Sequence, residues 1–160
     1  MKIKKAKQKK KKTFKAVVEA TPDVSSAYKS GLAALAGYRA KIEMGDTRKC
    51  GGSIDIDAAV AAKYPNDNRW DYALAYDGEV FFVEVHTAGT GEVDVVLRKL
   101  EWLKSWLHHH APEINVLKAT KKTPFYWIQS NGYHIAPNSK QERLIAQKGL
   151  RPISKLILNP

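Results

Sequence analysis

The chain has 160 residues, 44% of them hydrophobic, which suits one globular domain with an ordinary core. No apolar run is long enough to span a bilayer, and the basic start lacks the hydrophobic stretch that a secretory signal needs. The net charge of +11 is uneven: residues 1–15, MKIKKAKQKKKKTFK, hold nine lysines and no acid, and the remainder is close to balanced.

Residues 1–15 are expected to be a disordered tail, because a block of like charges repels itself and buries nothing. Lys4, Lys5, Lys9, Lys10, Lys11 and Lys12 are the candidate contacts to nucleic-acid phosphates, a charge-driven and salt-sensitive mode that reads little sequence. The alternative for the tail is a solubilising role. Residues 16–160 form the globular domain. Its lone cysteine, Cys50, rules out an internal disulfide, fits a reducing cytoplasm and is read as an inert thiol.

Thr21-Pro22-Asp23 has the chemistry of a helix start, with a cap, a proline in the first turn and an early acid. The roughly helical spacing of Val24, Tyr28, Leu32, Leu35 and Ile42 predicts a helix from there to about Glu43. Lys49 to Asp57 reads as a short strand or a loop, and Asp57 to Lys63 as two helical turns. Strands are predicted over 69–76 and 79–87, joined by Asp77-Gly78, a two-residue hairpin signal. A helix follows from Glu92 to about Leu107, with Val93, Val96, Leu97, Leu100, Leu103 and Leu107 on one face. Pro124 to Ser130 is a strand, Asn131-Gly132 a second hairpin turn and Tyr133 to Ile135 its return. Asn138-Ser139 caps a short helix ending at Gly149, and Ile153 to Leu158 is the last strand. This order predicts an α/β (α+β) domain with a mixed sheet flanked by helices.

The hairpin turn sets a register in which Tyr76 faces Glu79 and Asp71 faces Glu84. Facing side chains on one side of a sheet lie about 5 Å apart at Cβ. Asp71, Ala73, Ala75, Val80, Phe82, Glu84 and His86 share one face, and Tyr72, Leu74, Tyr76, Phe81, Val83 and Val85 the other. Two opposed carboxylates repel, so a proton, a basic neighbour or a cation must offset them. Arg69, predicted to face His86, gives a salt-bridged edge. A hard divalent cation, Mg²⁺ or Mn²⁺, gives a metal site.

A leading helix, a hairpin with Asp71 on its first strand and Glu84-Val85-His86 on its second, then a helix and a strand, resembles the PD-(D/E)xK nuclease superfamily over residues 21 to about 130. The resemblance implies a restriction-endonuclease-like core and metal-assisted phosphodiester hydrolysis. Asp71 and Glu84 would hold the ion together with the Val85 carbonyl. The third position departs from the pattern, because His86 stands where the family has lysine. His86 would act as a general base or a nitrogen ligand, the alternative being a hydrogen-bonded structural histidine. Lys99 on the following helix, about 100° from the centre of its apolar stripe, would supply the missing cation; the alternative is a solvated boundary lysine. The stretch SIDIDAAVAAKYPNDNRWDYALAY is also similar to uncharacterised bacterial proteins, which implies no activity.

Among other candidates, Asp55 and Asp57 read as helix caps or as a third metal carboxylate. Glu19 and Glu43 would approach only from the first helix. His108, His109 and His110 suit a helix C-terminus better than one metal site, and Trp102 and Trp106 are assigned to the core, with cover for a partner surface as the alternative. The resulting expectation is a cytoplasmic Mg²⁺- or Mn²⁺-dependent nuclease acting on nucleic acid, with no membrane partner and with a homodimer admitted. The rivals are a noncatalytic nucleic-acid- or ribosome-binding module of the same fold, and a protein-interaction domain.

Overall fold

The computed structural model describes residues 10–160. Its first element is α1 (Phe14–Glu19), started by the Thr13 side chain, which accepts the Ala16 N–H at 3.2 Å. Phe14, Val17 and Val18 are buried, so the fold begins two residues inside the segment assigned to the tail. Lys4, Lys5 and Lys9 lie outside the described residues.

The helix expected from Thr21 to Glu43 does not form. Thr21-Pro22-Asp23 opens only a 3₁₀ turn, Pro22–Val24. Gly31 and Ala36 take positive φ, the 3₁₀ segment Ala33–Lys41 is kinked at Ala36, and Ile42–Met44 is a strand, β1. The physical reason lies in packing. Val24, Ala27 and Tyr28 join one side of the core, whereas Leu32, Leu35 and Ile42 join the other. One straight helix cannot serve both faces of a sheet, so the chain crosses its edge instead.

β2 (Cys50–Asp55) is a strand rather than a loop, and α2 (Ile56–Val60) follows at once. β2 is bulged between Cys50 and Gly52. Gly52 sits at φ +109, and an added Cβ would run into the Tyr28 ring, whose hydroxyl donates to the Gly51 carbonyl at 3.0 Å. Gly52→Ala is therefore expected to lower the urea midpoint by an amount equivalent to about 2–3 kcal/mol, combining backbone strain with a displaced ring. A midpoint within error of wild type would refute that account.

β3 (Tyr72–Tyr76) and β4 (Glu79–Gly89) form the predicted hairpin. Asp77 at φ +49 and Gly78 at φ +78 supply the positive dihedrals that a type I′ turn requires. The ladder runs from Tyr76 opposite Glu79 to Tyr72 opposite Val83, in the predicted register. Ala73, Ala75, Val80 and Phe82 pack into one core cluster, and Leu74, Tyr76, Phe81 and Val83 into the other.

α3 (Val93–His109) lies on the first of these faces through Val93, Val96, Leu100, Leu103, Trp106 and Leu107. A short helix not foreseen, α4 (Pro112–Val116), leads towards β5 (Phe125–His134), which is parallel to β4. The predicted hairpin at Asn131-Gly132 is absent. β5 continues through it, with the register shifting so that Gln129 pairs with His86 and Tyr133 with Ala88. β4 extends past His86, so its unpaired end takes up Tyr133 and His134, and Gly132 at φ +73 eases the bulge.

α5 (Lys140–Gln147) is capped by Ser139, which accepts the Glu142 N–H, and Gly149 at φ +63 follows its end. Only Leu156–Leu158 of the predicted last strand is regular, as β6. It pairs in parallel with β1, joining segments separated by most of the chain. The architecture is α+β: a mixed four-stranded sheet in the order β2-β3-β4-β5, flanked by helices, and a two-stranded sheet of β1 and β6. Among the described residues no helix is long and apolar enough to cross a membrane.

Candidate functional site

The regular β3 ladder begins at Tyr72, and Asp71 stands just before it. There the side chains take over from the ladder. The Asp71 N–H donates to Glu84 Oε2 at 3.0 Å, and the Val85 N–H donates to Asp71 Oδ2 at 3.1 Å. Each carboxylate thus has one oxygen fixed by the other strand's backbone. The remaining oxygens, Asp71 Oδ1 and Glu84 Oε1, both face a lysine on α3. The Lys99 ammonium, reaching from α3, lies 3.7 Å from Asp71 Oδ1 and donates a short hydrogen bond to Glu84 Oε1.

Burial sets the electrostatics. The Glu84 side chain is fully buried, whereas Asp71 and Lys99 keep 20% and 18% of theirs exposed, so solvent reaches the group from the Asp71–Lys99 side. Burial and the Glu84 charge push the Asp71 carboxyl up to about 7, against the pull of Lys99 and the Val85 N–H. Burial works against the Lys99 charge, but Glu84 and Asp71 outweigh it and hold the ammonium above its ordinary value.

His86 is engaged on both sides. Its Nδ1 lies 3.5 Å from Glu84 Oε1 and its Nε2 lies 2.7 Å from Glu92 Oε2. The Glu84 hydrogen bond raises its pKa, burial opposes the rise and Glu92 adds to it. A ring with a carboxylate at each nitrogen is set up as a cation. It offers neither a free lone pair to a metal nor an open base to a water, so the two roles expected of His86 do not fit its surroundings. Glu92 was missed because its approach depends on the 3₁₀ turn Thr90–Glu92, which turns the chain back after β4.

Arg69 does not bridge the carboxylates. Its Nε donates to Asp57 at 2.7 Å and its Nη1 to the Tyr64 carbonyl at 2.7 Å. Asp57 is thereby paired, yet its charge still reaches Asp71 and Lys99. Asp55 caps α2, accepting the Ala58 N–H at 2.8 Å. Lys99 is no solvated boundary residue, although its place at the border of the apolar stripe is as predicted.

The remaining candidates lie elsewhere. Glu19 is exposed, and Glu43 is exposed and pairs with Lys155 at 3.5 Å. The three histidines from His108 to His110 are exposed around the end of α3. Trp106 is buried with Trp102 stacked on it at 5.8 Å. Lys10, Lys11 and Lys12 are exposed, and Lys12 pairs with Glu113 at 3.2 Å. Lys11 and Lys12 border a cleft with Gly78 and Val80, at the turn end of the hairpin. They are therefore separated from Asp71 by most of the hairpin, about 20 Å at 3.3 Å per residue.

Among the described residues, no group of three or more His, Cys, Asp or Glu side chains is placed to hold one metal ion. The donor set is two carboxylates with a lysine between them. That is too few protein ligands for a Zn²⁺ or Cu²⁺ cage. It matches what Mg²⁺ takes from proteins: one or two carboxylates, the shell being completed by water and phosphate oxygens. No protein-family model matches this chain, and neither a curated protein nor a solved structure matches it.

Proposed function

We propose that the chain is a metal-dependent nuclease, hydrolysing phosphodiester bonds in nucleic acid on a restriction-endonuclease-like core. One observation carries the reading: Asp71 Oδ1 and Glu84 Oε1 converge on one cation, the Lys99 ammonium, at the open end of the β3–β4 hairpin. The strand order lends support in part: β2, β3 and β4 are antiparallel neighbours, and α3 and α4 lead across to the parallel β5, whereas the leading helix expected from Thr21 is replaced by 3₁₀ turns and β1. Asp71 and Glu84 would hold Mg²⁺ or Mn²⁺, with Val85 on the adjoining strand edge. Bound there, the ion would supply Lewis acidity for the phosphate oxygens and lower the pKa of a bound water.

The chain's own groups have distinct tasks in this reading. The Asp71 and Val85 N–H groups lock one oxygen of each carboxylate, so the other two stay aimed at the same point. Lys99 brings positive charge to the scissile phosphate from α3, the role that a strand lysine holds in the family resembled. His86, bracketed by Glu84 and Glu92, orients Glu84 and neutralises part of the acidic cluster. The lysines at the turn end of the hairpin hold the polyanion away from the scissile bond.

The second reading, a noncatalytic nucleic-acid-binding module, is favoured by Lys99 itself. Its ammonium already offsets one of the two carboxylate charges, so no metal is required for the fold. Cleavage separates the two readings. Mixed single- and double-stranded DNA and RNA, incubated with Mg²⁺ or Mn²⁺, should be cut by wild type. Cutting should fall at least about 100-fold in Glu84→Gln, which retains an acceptor for the Asp71 N–H. Circular dichroism checks that the variant is folded. Intact substrates with both metals and the wild-type protein would leave the binding module standing.

A further inference from the structure

Beyond the lysine tail, charge is segregated along the chain. Residues 16–117 hold ten lysines and arginines against fifteen acids, whereas residues 118–160 hold eight against one. That one acid, Glu142, is engaged within its own segment: it accepts the Tyr133 hydroxyl at 2.7 Å and the Asn138 N–H at 3.2 Å. Among the described residues only one cation of the stretch is ion-paired, Lys155 with Glu43 at 3.5 Å. Lys140, Arg143, Lys148 and Arg151 are exposed on α5 and just after it. Like charges gathered on one surface repel one another, and a polyanion relieves the repulsion.

The fold brings these cations to the carboxylate site. Ile145 of α5 and Leu150 after it are buried in the same core cluster as Ala73, Phe82 and the apolar side of α3. That is the face of the sheet on which Asp71, Glu84 and His86 meet Lys99. Two contacts fix the position more closely. Tyr133 pairs with Ala88, four residues beyond Glu84 on β4, or about 13 Å at 3.3 Å per residue. The Ala136 N–H donates to Thr90 Oγ1 at 2.8 Å, in the same 3₁₀ turn that brings Glu92 to His86. The Arg151 guanidinium lies over the Tyr133 ring at 5.7 Å, which holds it at this end of β4. The cations therefore begin beyond His86, on the side of the carboxylate pair away from the hairpin turn.

We infer that Lys140, Arg143, Lys148 and Arg151 form a phosphate-binding track, along which a nucleic-acid strand runs on from the carboxylate pair. The choice of nucleic acid rests on the nuclease reading above. The track grips the backbone rather than the bases, so it is indifferent to sequence. Its two arginines present planar forks that match phosphate oxygens, a feature that the arginine-free residues 1–15 lack. A lipid surface fits less well, since binding at a membrane interface joins basic groups to exposed apolar ones. The exposed large hydrophobic side chains, Tyr38, Val116 and Ile157, all lie outside residues 133–151.

The test reads binding in EDTA, so that it is independent of cleavage. The full chain is mixed with a single-stranded oligonucleotide of about twelve nucleotides, acetylated briefly and examined by mass spectrometry. Lys140 and Lys148 should acetylate more slowly with the oligonucleotide than without it, whatever the tail does. Affinity supplies the second readout. The triple variant Lys140→Gln, Lys148→Gln, Arg151→Gln should bind at least about tenfold more weakly at about 0.1 M salt, with a log–log salt slope smaller by about 2. A control with the same net charge, Lys29→Gln, Arg39→Gln, Arg48→Gln, alters exposed side chains near β2, at the other edge of the sheet. It should stay within about twofold of wild type. Circular dichroism checks that both variants are folded.

Unchanged acetylation of Lys140 and Lys148, or equal losses of affinity in the two triple variants, overturns the inference. Protection by vesicles of anionic lipid and not by the oligonucleotide also overturns it, in favour of a lipid surface. Protection without metal-dependent cleavage overturns the nuclease reading alone, and cleavage without protection overturns the track alone.

Discussion

Replacing Lys99 by methionine will destabilise the protein by about 3–5 kcal/mol at pH 8, read as the shift in urea midpoint at constant slope. Methionine retains most of the apolar stem, so the loss is electrostatic rather than a cavity. Without the ammonium, a fully buried Glu84 and a mostly buried Asp71 face each other unpaired. Adding Glu84→Gln to Lys99→Met should restore most of the loss, because glutamine still accepts the Asp71 N–H and no longer repels Asp71. Millimolar Mg²⁺ or Mn²⁺ should restore Lys99→Met and leave the double variant unmoved, since only the former retains both acidic side chains. A Lys99→Met midpoint equal to wild type would mean that something other than Lys99 balances the pair.

The second expected result is a stability that falls as pH rises through the weakly acidic range, with Asp71 as its main source. Asp71 titrates near 3.8 in the unfolded chain and at about 7 in the fold. Between those values the native state holds more protons than the unfolded state. Stability therefore declines from about pH 4 to about pH 7 and is flat for this group above that. His86 acts in the same direction at higher pH. Its native value is raised, so its contribution is complete below its ordinary 6.5 and is lost as pH passes the native value. Asp71→Asn should abolish the lower limb and leave the protein more stable than wild type at pH 8 by about 2 kcal/mol. Urea melts of both proteins at several pH values supply the difference curve. A difference that is constant from pH 4 to pH 8 would refute the assignment of the limb to Asp71.

The hairpin was legible because its information is local. A type I′ turn demands positive φ twice, Asp77-Gly78 meets that demand, and the register then places Asp71 against Glu84 without knowledge of anything else. Lys99 was legible as far as its angle on α3, since helical geometry is regular; its partner was not, because that depends on where α3 crosses the sheet. The stretch from Thr21 to Glu43 failed for a different reason. Its apolar spacing is compatible with a helix, but its side chains divide between two faces of the sheet, and only tertiary structure records the division. Asn131-Gly132 failed because the residues that make a hairpin turn also make a bulge. The length of the neighbouring β4 decides between them. Glu92 escaped notice because a 3₁₀ turn, not a sequence motif, brings it to His86.

The pairing of β1 with β6 bears on how the protein is made. Ile42 and Met44 have nothing to zip against until Leu156 and Leu158 have been synthesised. A ribosome-bound chain released early would leave the layer formed by Leu35, Ile42 and Phe81 uncovered, a sticky surface of the kind chaperones capture.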